Sequence, residues 1–595
     1  MFDNKYAYKL KFIGVAITAI FLVLSSRLVY LQVIQGDFYK RKADGNRLRV
    51  TPIFATRGQF YDRNGKVLVS NKAAFVVTIS ANKNNIDKAS IEQLGKILNM
   101  PASDIIEKIE RHVDANRVVL KVDVPAETVT LLEERKREFP NVFIETQPTR
   151  EYRYNEFAVH ALGYVAEISE SEYERRKDDP NYLNNSIVGK MGIESFFDKE
   201  IRGKDGANQV EVNVAGKLVE QLGRVNPKPG NNLQLTIDYN IQLAAETILD
   251  KHLNYLRTTG LAPNAHSAAL VVMDPNNGQI LAMVSRPAFN PNLFVRGISY
   301  KDWNNINNNS YHPMTNKVIS GEYPPGSSFK IITAITALSM DKVTPGEMYY
   351  DAGFHPAVPT MGNDGGKALG SINMKTALAK SDNVYFYEMS RRVGIEGLEK
   401  FSRNFGLGAP SGITLYGEAE GLVASPNYKL KVFDQDWYLG DTFNASIGQG
   451  YQLATPIQLA NLMAMVANGG TRYKPYLVSR IFDDKNATLK EFKPEILSQI
   501  KLSAEDMSAV QLGLRGVAEV GGTAGELADF PVAIAGKTGT AENPHGLDHG
   551  VFVGYAPFEN PKYVIALVVE QGGYSSISAV PIARGVFAAA FGIKE

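Results

Sequence analysis

A serine and a lysine three residues apart, in the segment YPPGSSFK (residues 323–330), have the types and spacing for nucleophilic catalysis. Because two prolines and a glycine end any preceding element, we expect a helix to begin near Ser327, with Lys330 one turn further on the same face. The apolar residues 331–338 predict that this helix is buried. A buried lysine loses hydration, so its pKa falls and its neutral amine can act as the base for a serine hydroxyl.

The Ser-x-x-Lys spacing alone is weak evidence, because Ser498 and Lys501 show the same pattern. No cluster of prolines and glycine precedes this second copy, and no apolar helix is predicted after it. The prediction of a nucleophile at Ser327 therefore rests on its structural setting.

Two further motifs follow in the chain. Ser381-Asp382-Asn383 precedes the apolar segment VYFYEM, and Lys537-Thr538-Gly539-Thr540 follows the strand-like segment VAIAG. Taken alone, the Ser-Asp-Asn motif is typical of a loop or a helix N-cap. The Lys-Thr-Gly-Thr motif, taken alone, is compatible with a surface hairpin whose lysine is solvated. Glycine beside the lysine also allows a ligand or another backbone to approach closely. Together and in this order, the three motifs predict a serine acyl-transfer site.

These motifs must be positioned by strands that lie near the beginning and near the end of the C-terminal part of the chain, about residues 231–595. Between them lies a mainly helical block, about residues 300–520. This order predicts one α+β domain whose sheet is closed by strands distant in sequence. The predicted strands are a hairpin at 267–285 with its turn at Pro275–Gly278, and segments at Val532–Ala535, Val551–Tyr555 and Tyr563–Val569.

The N-terminal segment is apolar enough for a membrane helix. Residues 12–34 contain a single charge, Arg27, and can cross about 30 Å of hydrocarbon. A cleaved signal peptide is the alternative, but large residues stand where a cleavage site is needed, so we expect an uncleaved anchor. Basic residues 40–42 dilute the positive-inside signal and leave the orientation open.

Length and turn-forming residues divide the rest of the chain. For 595 residues, about three or four folding units are expected, and turn formers at 227–232 mark a boundary. We predict a tail at 1–11, the anchor at 12–34, a second domain at 35–230 and the motif-bearing domain at 231–595. Within the second domain the sequence predicts a hairpin around the turn Asp62–Gly65 and helices at Ile91–Leu98 and Ala126–Arg137.

Composition excludes several kinds of chemistry. With 64 basic and 63 acidic residues, the net charge of +1 gives no reason to expect nucleic acid as a partner. The absence of cysteine excludes disulfides, thiolate metal sites and cysteine nucleophiles. Upstream of the second motif, Asp351, His355 and Asp364 are interpreted as solvated loop residues, and His545 and His549 as surface or substrate-loop residues. We therefore expect no metal and no cofactor.

The chain resembles the class B penicillin-binding proteins, and among them the cell-elongation type. The resemblance implies an α+β fold with an N-terminal transmembrane helix, an elongated pedestal (dimerisation-type) domain with a head-like insert, and a C-terminal transpeptidase domain. That last domain is expected to have the antiparallel sheet flanked by helices of the serine β-lactamases. Beside the three motifs, the resemblance rests on RGQFYDRNG (57–65), LGYV (162–165), GKMGIE (189–194), LQLTID (233–238) and DHGVFVGYAP (548–557).

This resemblance implies a DD-transpeptidase for peptidoglycan pentapeptide stems. Ser327 would attack the penultimate D-alanine carbonyl and expel the terminal D-alanine, with Lys330 as the base. Ser381 would pass a proton to the leaving amine, and Asn383 would hold the substrate amide. β-Lactams would acylate Ser327 and remain bound.

The resemblance also assigns the third motif to substrate binding. Lys537 would add positive potential, and Thr538 and Thr540 would hold the terminal carboxylate beside Gly539. Backbone N–H groups of Ser327 and Thr540 would form the oxyanion hole.

The partners implied by the resemblance are a membrane and a polytopic SEDS-type glycosyltransferase, contacted through anchor and pedestal. The tail would be cytoplasmic, and the catalytic domain would lie on the outer, periplasmic side of the cytoplasmic membrane. A DD-carboxypeptidase or β-lactamase-type hydrolase and a chiefly scaffolding activator of the glycosyltransferase are the alternatives. For the scaffold, changes at Arg57 or Asp62 are expected to impair partner activation and leave acylation intact.

Overall fold

The computed structural model describes residues 4–36, 48–80, 88–111, 117–179, 181–183, 185–212 and 218–594. Backbone contacts divide the chain into two compact units. One comprises Met1–Thr56 with Gly203–Pro229, and the other comprises Arg57–Arg202 with Gly230–Glu595.

The first unit contains the predicted N-terminal helix. It runs over Asn4–Val29 and continues as a π-helical turn, Tyr30–Ile34. Residues Tyr8–Ile34 are exposed, have a mean hydropathy of 2.2 and are long enough to cross a membrane, so the predicted apolar helix is confirmed. The unit also has an antiparallel three-stranded sheet of Leu48–Ile53, Gly206–Val212 and Leu218–Val225.

The second unit is built on an antiparallel five-stranded sheet. Its spatial order is Ile280–Arg286, Ala268–Met273, Tyr563–Val569, His549–Ala556 and Ala535–Ala541. The predicted α+β class, with strands from both ends of the sequence in one sheet, is confirmed.

The last of these strands differs from the prediction. It begins at Ala535 rather than Val532 and runs through the whole Lys-Thr-Gly-Thr motif. Its first residue pairs with Tyr555, and the partner strand ends at Ala556, before Pro557. Pro557 has no N–H to donate to the ladder, and beyond it Phe558 N donates to the Ala533 carbonyl at 2.8 Å outside any strand.

Helices cover both faces of this sheet, so its strands are buried on both sides. Alternate residues of Ala268–Met273 belong to two different cores. One core includes the helices Lys330–Ser339 and Pro456–Ala467, and the other includes Tyr239–Thr258 and Val580–Phe591.

The predicted helical block also contains short strands. Its longer helices are Tyr300–Asn307, Lys330–Ser339, Met374–Lys380, Asn383–Asn404, Pro426–Phe433, Leu439–Ser446, Pro456–Ala467 and Ala504–Val517. The strands are Tyr349–Asp351, Phe354–His355, Val358–Gly362, Gly370–Ile372, Thr471–Tyr473, Val478–Phe482, Thr488–Glu491 and Ile496–Gln499. A shorter helix of the block is Lys317–Ser320, while Asn292–Val295 precedes the block and Ser575–Ser578 follows the last strand of the sheet.

A second sheet joins the early part of the chain to later strands. The predicted hairpin forms from Phe60–Tyr61 and Val67–Ser80, and Asn232–Leu235 pairs in parallel with Phe60–Tyr61. Val142–Tyr152 pairs with the long hairpin strand. The remaining strands of this sheet are Thr488–Glu491, Val478–Phe482 and Arg117–Val122.

The predicted helical insert packs on this sheet as a core of its own. Its helices are Lys88–Leu98, Ala102–Arg111 and Ala126–Glu134, so the third ends before the predicted Arg137. Further short elements of this region are the helices Val159–Leu162, Glu170–Glu174, Gly192–Phe196 and Asp198–Ile201 and the strands Val165–Glu167 and Ile187–Gly189.

A buried ion cluster of Arg57, Arg150, Glu194 and Asp198 ties this region together. Arg57 donates to Glu194 Oε2 at 2.8 Å and to Asp198 Oδ1 at 2.9 Å. Arg150 donates to Glu194 Oε1 at 2.5 Å and to the Gly58 carbonyl at 2.7 Å. Four charges balance inside the protein, where each needs the others to offset the loss of hydration.

Arg57 and Asp62 are therefore held by contacts within the protein, and the expected effect of changing them on partner activation stays a prediction. The Asp62 carboxylate is buried and accepts hydrogen bonds from the backbone of Asn64, Lys66 and Tyr239. A change at either position removes these internal hydrogen bonds.

Replacing Arg57 by alanine should lower the thermal unfolding midpoint by several degrees. Removing one partner of a buried ion pair costs about 3–5 kcal/mol, because a charge stays buried without its partner. The matched control is Arg63→Ala, an exposed arginine of the same hairpin, which should unfold as the wild type does. Equal midpoints for the two variants would contradict this role of the ion cluster.

Candidate active site

Ser327 lies at the start of the predicted helix. The first turn, Gly326–Phe329, is a 3-10 helix, and Lys330–Ser339 continues as an α-helix whose residues 330–338 are all buried. In a 3-10 turn, residues three apart lie above one another. The turn therefore places Ser327, which is partly exposed, over the fully buried Lys330.

Lys330 joins the first motif to the second. Its Nζ donates to the Ser381 carbonyl at 2.7 Å, to Asn383 Oδ1 at 2.6 Å and to Ser381 Oγ at 3.2 Å. Burial lowers the pKa of Lys330 to about 7, although the nearby Asp382 carboxylate acts to raise it. A large fraction of this amine is therefore neutral at physiological pH, as a base requires.

Ser381 joins the second motif to the third. Its Oγ accepts a hydrogen bond from Lys537 Nζ at 2.8 Å, so two lysine amines converge on one hydroxyl. Burial, and then the charge of Lys330, hold the pKa of Lys537 well below its usual range. The three predicted motifs thus meet in a chain of contacts that can carry a proton.

The Lys-Thr-Gly-Thr strand lies directly against the turn that carries Ser327. A Cβ on Gly539 would come within 3.0 Å of the Pro325 carbonyl, and one on Gly326 within 2.8 Å of the Thr540 carbonyl. Glycine at both positions allows the two backbones to approach. The backbone N–H groups of Ser327 and Thr540 are consequently carried on adjacent segments.

Thr538 and Thr540 alternate with Lys537 and Gly539 along the strand, so the two threonines share one face. Thr538 Oγ1 lies 2.6 Å from Thr523 Oγ1, which was not predicted as a site residue. Thr523 lies in the turn-forming sequence GGTAG, which predicts a loop. It does not predict that this loop contacts Thr538.

A loop at residues 447–450 lies against the turn that carries Ser327, and the sequence analysis does not predict it as part of the site. Gly326 N donates to the Gly448 carbonyl at 3.0 Å, and Gln449 Nε2 donates to the Thr540 carbonyl at 3.2 Å. A Cβ on Gly448 would lie 2.3 Å from the Gly326 carbonyl oxygen. In the sequence, the pattern Gly-Gln-Gly at 448–450 is the feature that indicates such a contact, because close approach of two backbones requires glycine.

The second Ser-x-x-Lys copy does not form a site. Ser498 lies on the strand Ile496–Gln499, and its hydroxyl donates to the Asn404 carbonyl at 3.0 Å. Lys501 is exposed. Without a helix, the two side chains are not placed one turn apart.

Two of the residues interpreted as solvated are buried, so that interpretation is wrong for Asp351 and His355. The Asp351 carboxylate accepts hydrogen bonds from the backbone of Gly353 and Leu369, both at 2.7 Å. His355 Nδ1 accepts from Ala357 N at 3.2 Å, which directs its Nε2 proton to Glu388, 3.3 Å away.

The three other polar loop residues fit the prediction more closely. Asp364 and His545 are exposed, and His549 is partly buried at a strand start, its ring edge against Tyr323. In the part of the chain that the structure describes, no three His, Asp or Glu side chains are grouped as metal ligands.

Two family models match the chain. The model for the penicillin-binding protein dimerisation domain matches residues 52–235, and the model for the penicillin-binding protein transpeptidase domain matches residues 268–588. The chain belongs to the penicillin-binding proteins. Its α+β architecture, with a dimerisation or pedestal domain followed by a transpeptidase domain, is the predicted one.

Similar penicillin-binding proteins include two named as the peptidoglycan D,D-transpeptidase MrdA. That of Acinetobacter baumannii is 34% identical over 588 residues, covering 95% of this chain and 85% of the relative. That of Escherichia coli K12 is 31% identical over 582 residues, covering 93% and 89%.

Solved structures of penicillin-binding proteins share the fold. Helicobacter pylori PBP2 in complex with MreC has a TM-score of 0.76 at 27% identity, covering 92% of this chain and 99% of that one. Pseudomonas aeruginosa PBP2 in complex with WCK 5153 has a TM-score of 0.69 at 30% identity, covering 91% and 96%. A chain of a peptidoglycan synthase complex has a TM-score of 0.74 at 29% identity, covering 99% of both chains.

Replacing Gly448 by alanine should slow penicillin acylation about a hundredfold, because small displacements of a reacting group have effects of this size. Gly450→Ala is the matched control. Both glycines have positive φ, +74° and +69°, but a Cβ at Gly450 meets only the Asn444 Cβ, at 3.4 Å. The rate of labelling by a fluorescent penicillin measures both variants, and equal slowing would show that φ alone matters.

Proposed function

We propose that this chain is a peptidoglycan D,D-transpeptidase that works through an acyl-enzyme on Ser327. The observation that carries the proposal is the convergence of Lys330 and Lys537 on the Ser381 hydroxyl, beside the turn that holds Ser327. Family membership and the named D,D-transpeptidase relatives support the substrate class. Elongation of the cell wall and maintenance of cell shape are the proposed setting.

In the acylation step, Lys330 takes the proton of the Ser327 hydroxyl as Oγ attacks the penultimate D-alanine carbonyl. The carbonyl oxygen gains negative charge and accepts hydrogen bonds from Ser327 N and Thr540 N. As the peptide bond breaks, the Ser381 hydroxyl gives its proton to the leaving amine of the terminal D-alanine. Ser381 regains a proton from a lysine ammonium, either Lys330 or Lys537, through the hydrogen bonds that join them.

Substrate placement falls to the third motif and to Asn383. Thr538 and Thr540 hold the terminal carboxylate, with Gly539 allowing close approach, and Lys537 adds positive potential when it is protonated. Asn383 holds the substrate amide. An amine from a neighbouring stem then attacks the acyl-enzyme and forms the cross-link.

The hydrolase alternatives use the same acylation and differ in the second step, where water replaces the amine. The match to the dimerisation-domain model, in addition to the transpeptidase domain, favours the transpeptidase over a β-lactamase. The scaffold alternative is compatible with catalysis and can coexist with it.

We propose further that the N-terminal helix is a single-pass anchor in the cytoplasmic membrane, with the catalytic domain on the outer side, where stems occur. A SEDS-type polytopic glycosyltransferase is the proposed partner, through anchor and pedestal. Similar chains are found in complex with MreC and in a peptidoglycan synthase complex, which supports such assembly. The domain limits at 1–11, 12–34, 35–230 and 231–595 stay predictions.

The proposal predicts that Ser327→Ala abolishes both penicillin labelling and cross-linking, because both need the same nucleophile. The full chain is incubated with its polymerase and a lipid-linked precursor, and cross-linked stem dimers are measured after digestion of the product. Ser498→Ala is the matched control and should retain both activities. Penicillin labelling of the Ser327→Ala variant at Ser498 would contradict the proposed site. Release of free D-alanine by the wild type without cross-linked dimers would favour a carboxypeptidase.

The acylation rate should rise with pH and level off above about pH 7, since only neutral Lys330 can take a proton. The lowered pKa of Lys330, about 7, sets this midpoint, so below it the rate should fall about tenfold per pH unit. The measurement is the penicillin acylation rate constant between pH 5.5 and 8.5, with intrinsic fluorescence as a control for folding. A rate that is flat across this range would contradict Lys330 as the base.

A further inference from the structure

We propose that Asn363, with Asp351, is a positioning residue that holds Ser381 and Asn383 in their reactive arrangement. Neither Asn363 nor Asp351 belongs to the three motifs. The inference rests on the proposed roles of Ser381 and Asn383 and extends them to a residue 18 positions upstream of Ser381.

Both polar atoms of the Asn363 amide, Oδ1 and Nδ2, form hydrogen bonds with the second motif. Its Oδ1 accepts hydrogen bonds from Asn383 N at 2.7 Å and from Val384 N at 3.2 Å, which caps the start of the helix Asn383–Asn404. Its Nδ2 donates to Asp382 Oδ2 at 2.9 Å. One side chain therefore holds the backbone of Asn383 and the carboxylate beside it.

The neighbouring Gly362 holds the side chain of Asn383. Asn383 Nδ2 donates to the Gly362 carbonyl at 3.1 Å, while its Oδ1 accepts from Lys330 Nζ. An ammonium group can only donate, so a reversed Asn383 amide would place donor against donor. Residues 362 and 363 thus orient the amide so that its oxygen faces the catalytic lysine.

Ser381 needs external support because its backbone is strained. Its φ is +58°, in the left-handed region that costs a non-glycine residue roughly 1–2 kcal/mol. Such conformations persist only where the surroundings determine them. Lys330 holds the Ser381 carbonyl, and the next residue, Asp382, is held by Asn363 and by Tyr385 N, which donates to Oδ1 at 2.6 Å.

Asp351 fixes Asn363 in turn. Asn363 Nδ2 donates to Asp351 Oδ2 at 2.9 Å, and Asp351 is fully buried with its other bonds to backbone N–H groups. The amide group stands between the carboxylates of Asp351 and Asp382, and its Nδ2 also lies 2.9 Å from the Lys367 carbonyl, so its two hydrogens are shared among three acceptors. Asp351 therefore helps to hold the Asn363 side chain in the orientation in which its oxygen faces Asn383 N.

A double-mutant cycle on penicillin acylation tests the role of Asn363. Asn363→Ala should slow acylation of the full chain about tenfold, a coupling of ordinary size for residues in one hydrogen-bond network. In a Ser381→Ala background the same change should have a smaller effect, because one of the two groups that Asn363 positions is gone and only its effect through Asn383 remains. The dissociation constant of the non-covalent complex should stay within about twofold, as for a residue that acts on the chemical step.

Two further variants separate positioning from general stability. Asp364→Ala, an exposed neighbour on the same turn, should acylate as the wild type does. Asn363→Ser keeps a small polar side chain, so it should fold if alanine does not and should retain an intermediate rate. Thermal unfolding midpoints are measured for every variant.

The outcomes are distinguishable. If Ser381→Ala leaves acylation unchanged, the proposed role of Ser381 fails, and this inference fails with it. If Ser381→Ala slows acylation but Asn363→Ala slows it equally in both backgrounds, the role of Asn363 alone is overturned. Wild-type acylation by a folded Asn363→Ala or Asn363→Ser variant overturns it as well.

Discussion

The active site depends on one buried amine. Lys330 has no exposed surface, and its three hydrogen bonds all go to Ser381 and Asn383. An ammonium in this position is costly, and the same burial that lowers its pKa makes those bonds necessary whenever it is protonated. Lys330 is therefore also the connection that draws the second motif onto the helix that begins beside Ser327, and its protonation and its packing cannot be changed separately.

Much of this arrangement could be predicted from local sequence. Prolines and a glycine before Ser327, with apolar residues after it, identify a buried helix start. Two short apolar runs around the turn Pro275–Gly278 identify the hairpin at 267–285. Ordered motifs could then be assigned to one site, because their residue types have complementary chemistry. Local patterns can predict a helix start or a hairpin because these features depend on residues that are neighbours along the chain.

Local sequence patterns do not predict contacts between segments that are distant along the chain. Asp351 and His355 stand in a turn-rich segment that is typical of solvated loops, yet the fold buries both among polar partners. The interpretation of these two residues is wrong because their burial is decided by segments that local periodicity cannot place. Likewise, nothing near Arg57 in the sequence indicates that its carboxylate partners are residues 194 and 198.

The order of strands in the catalytic sheet has a consequence for biosynthesis. The strand Tyr563–Val569 lies between the early hairpin strand Ala268–Met273 and the later strand His549–Ala556. A growing chain has therefore already made Ser327, Lys330 and Ser381 before it makes the strand that joins the two halves of the sheet. Contacts of such long sequence separation form late and slowly. Reactivity toward penicillin should thus arise only after nearly the whole chain has left the ribosome.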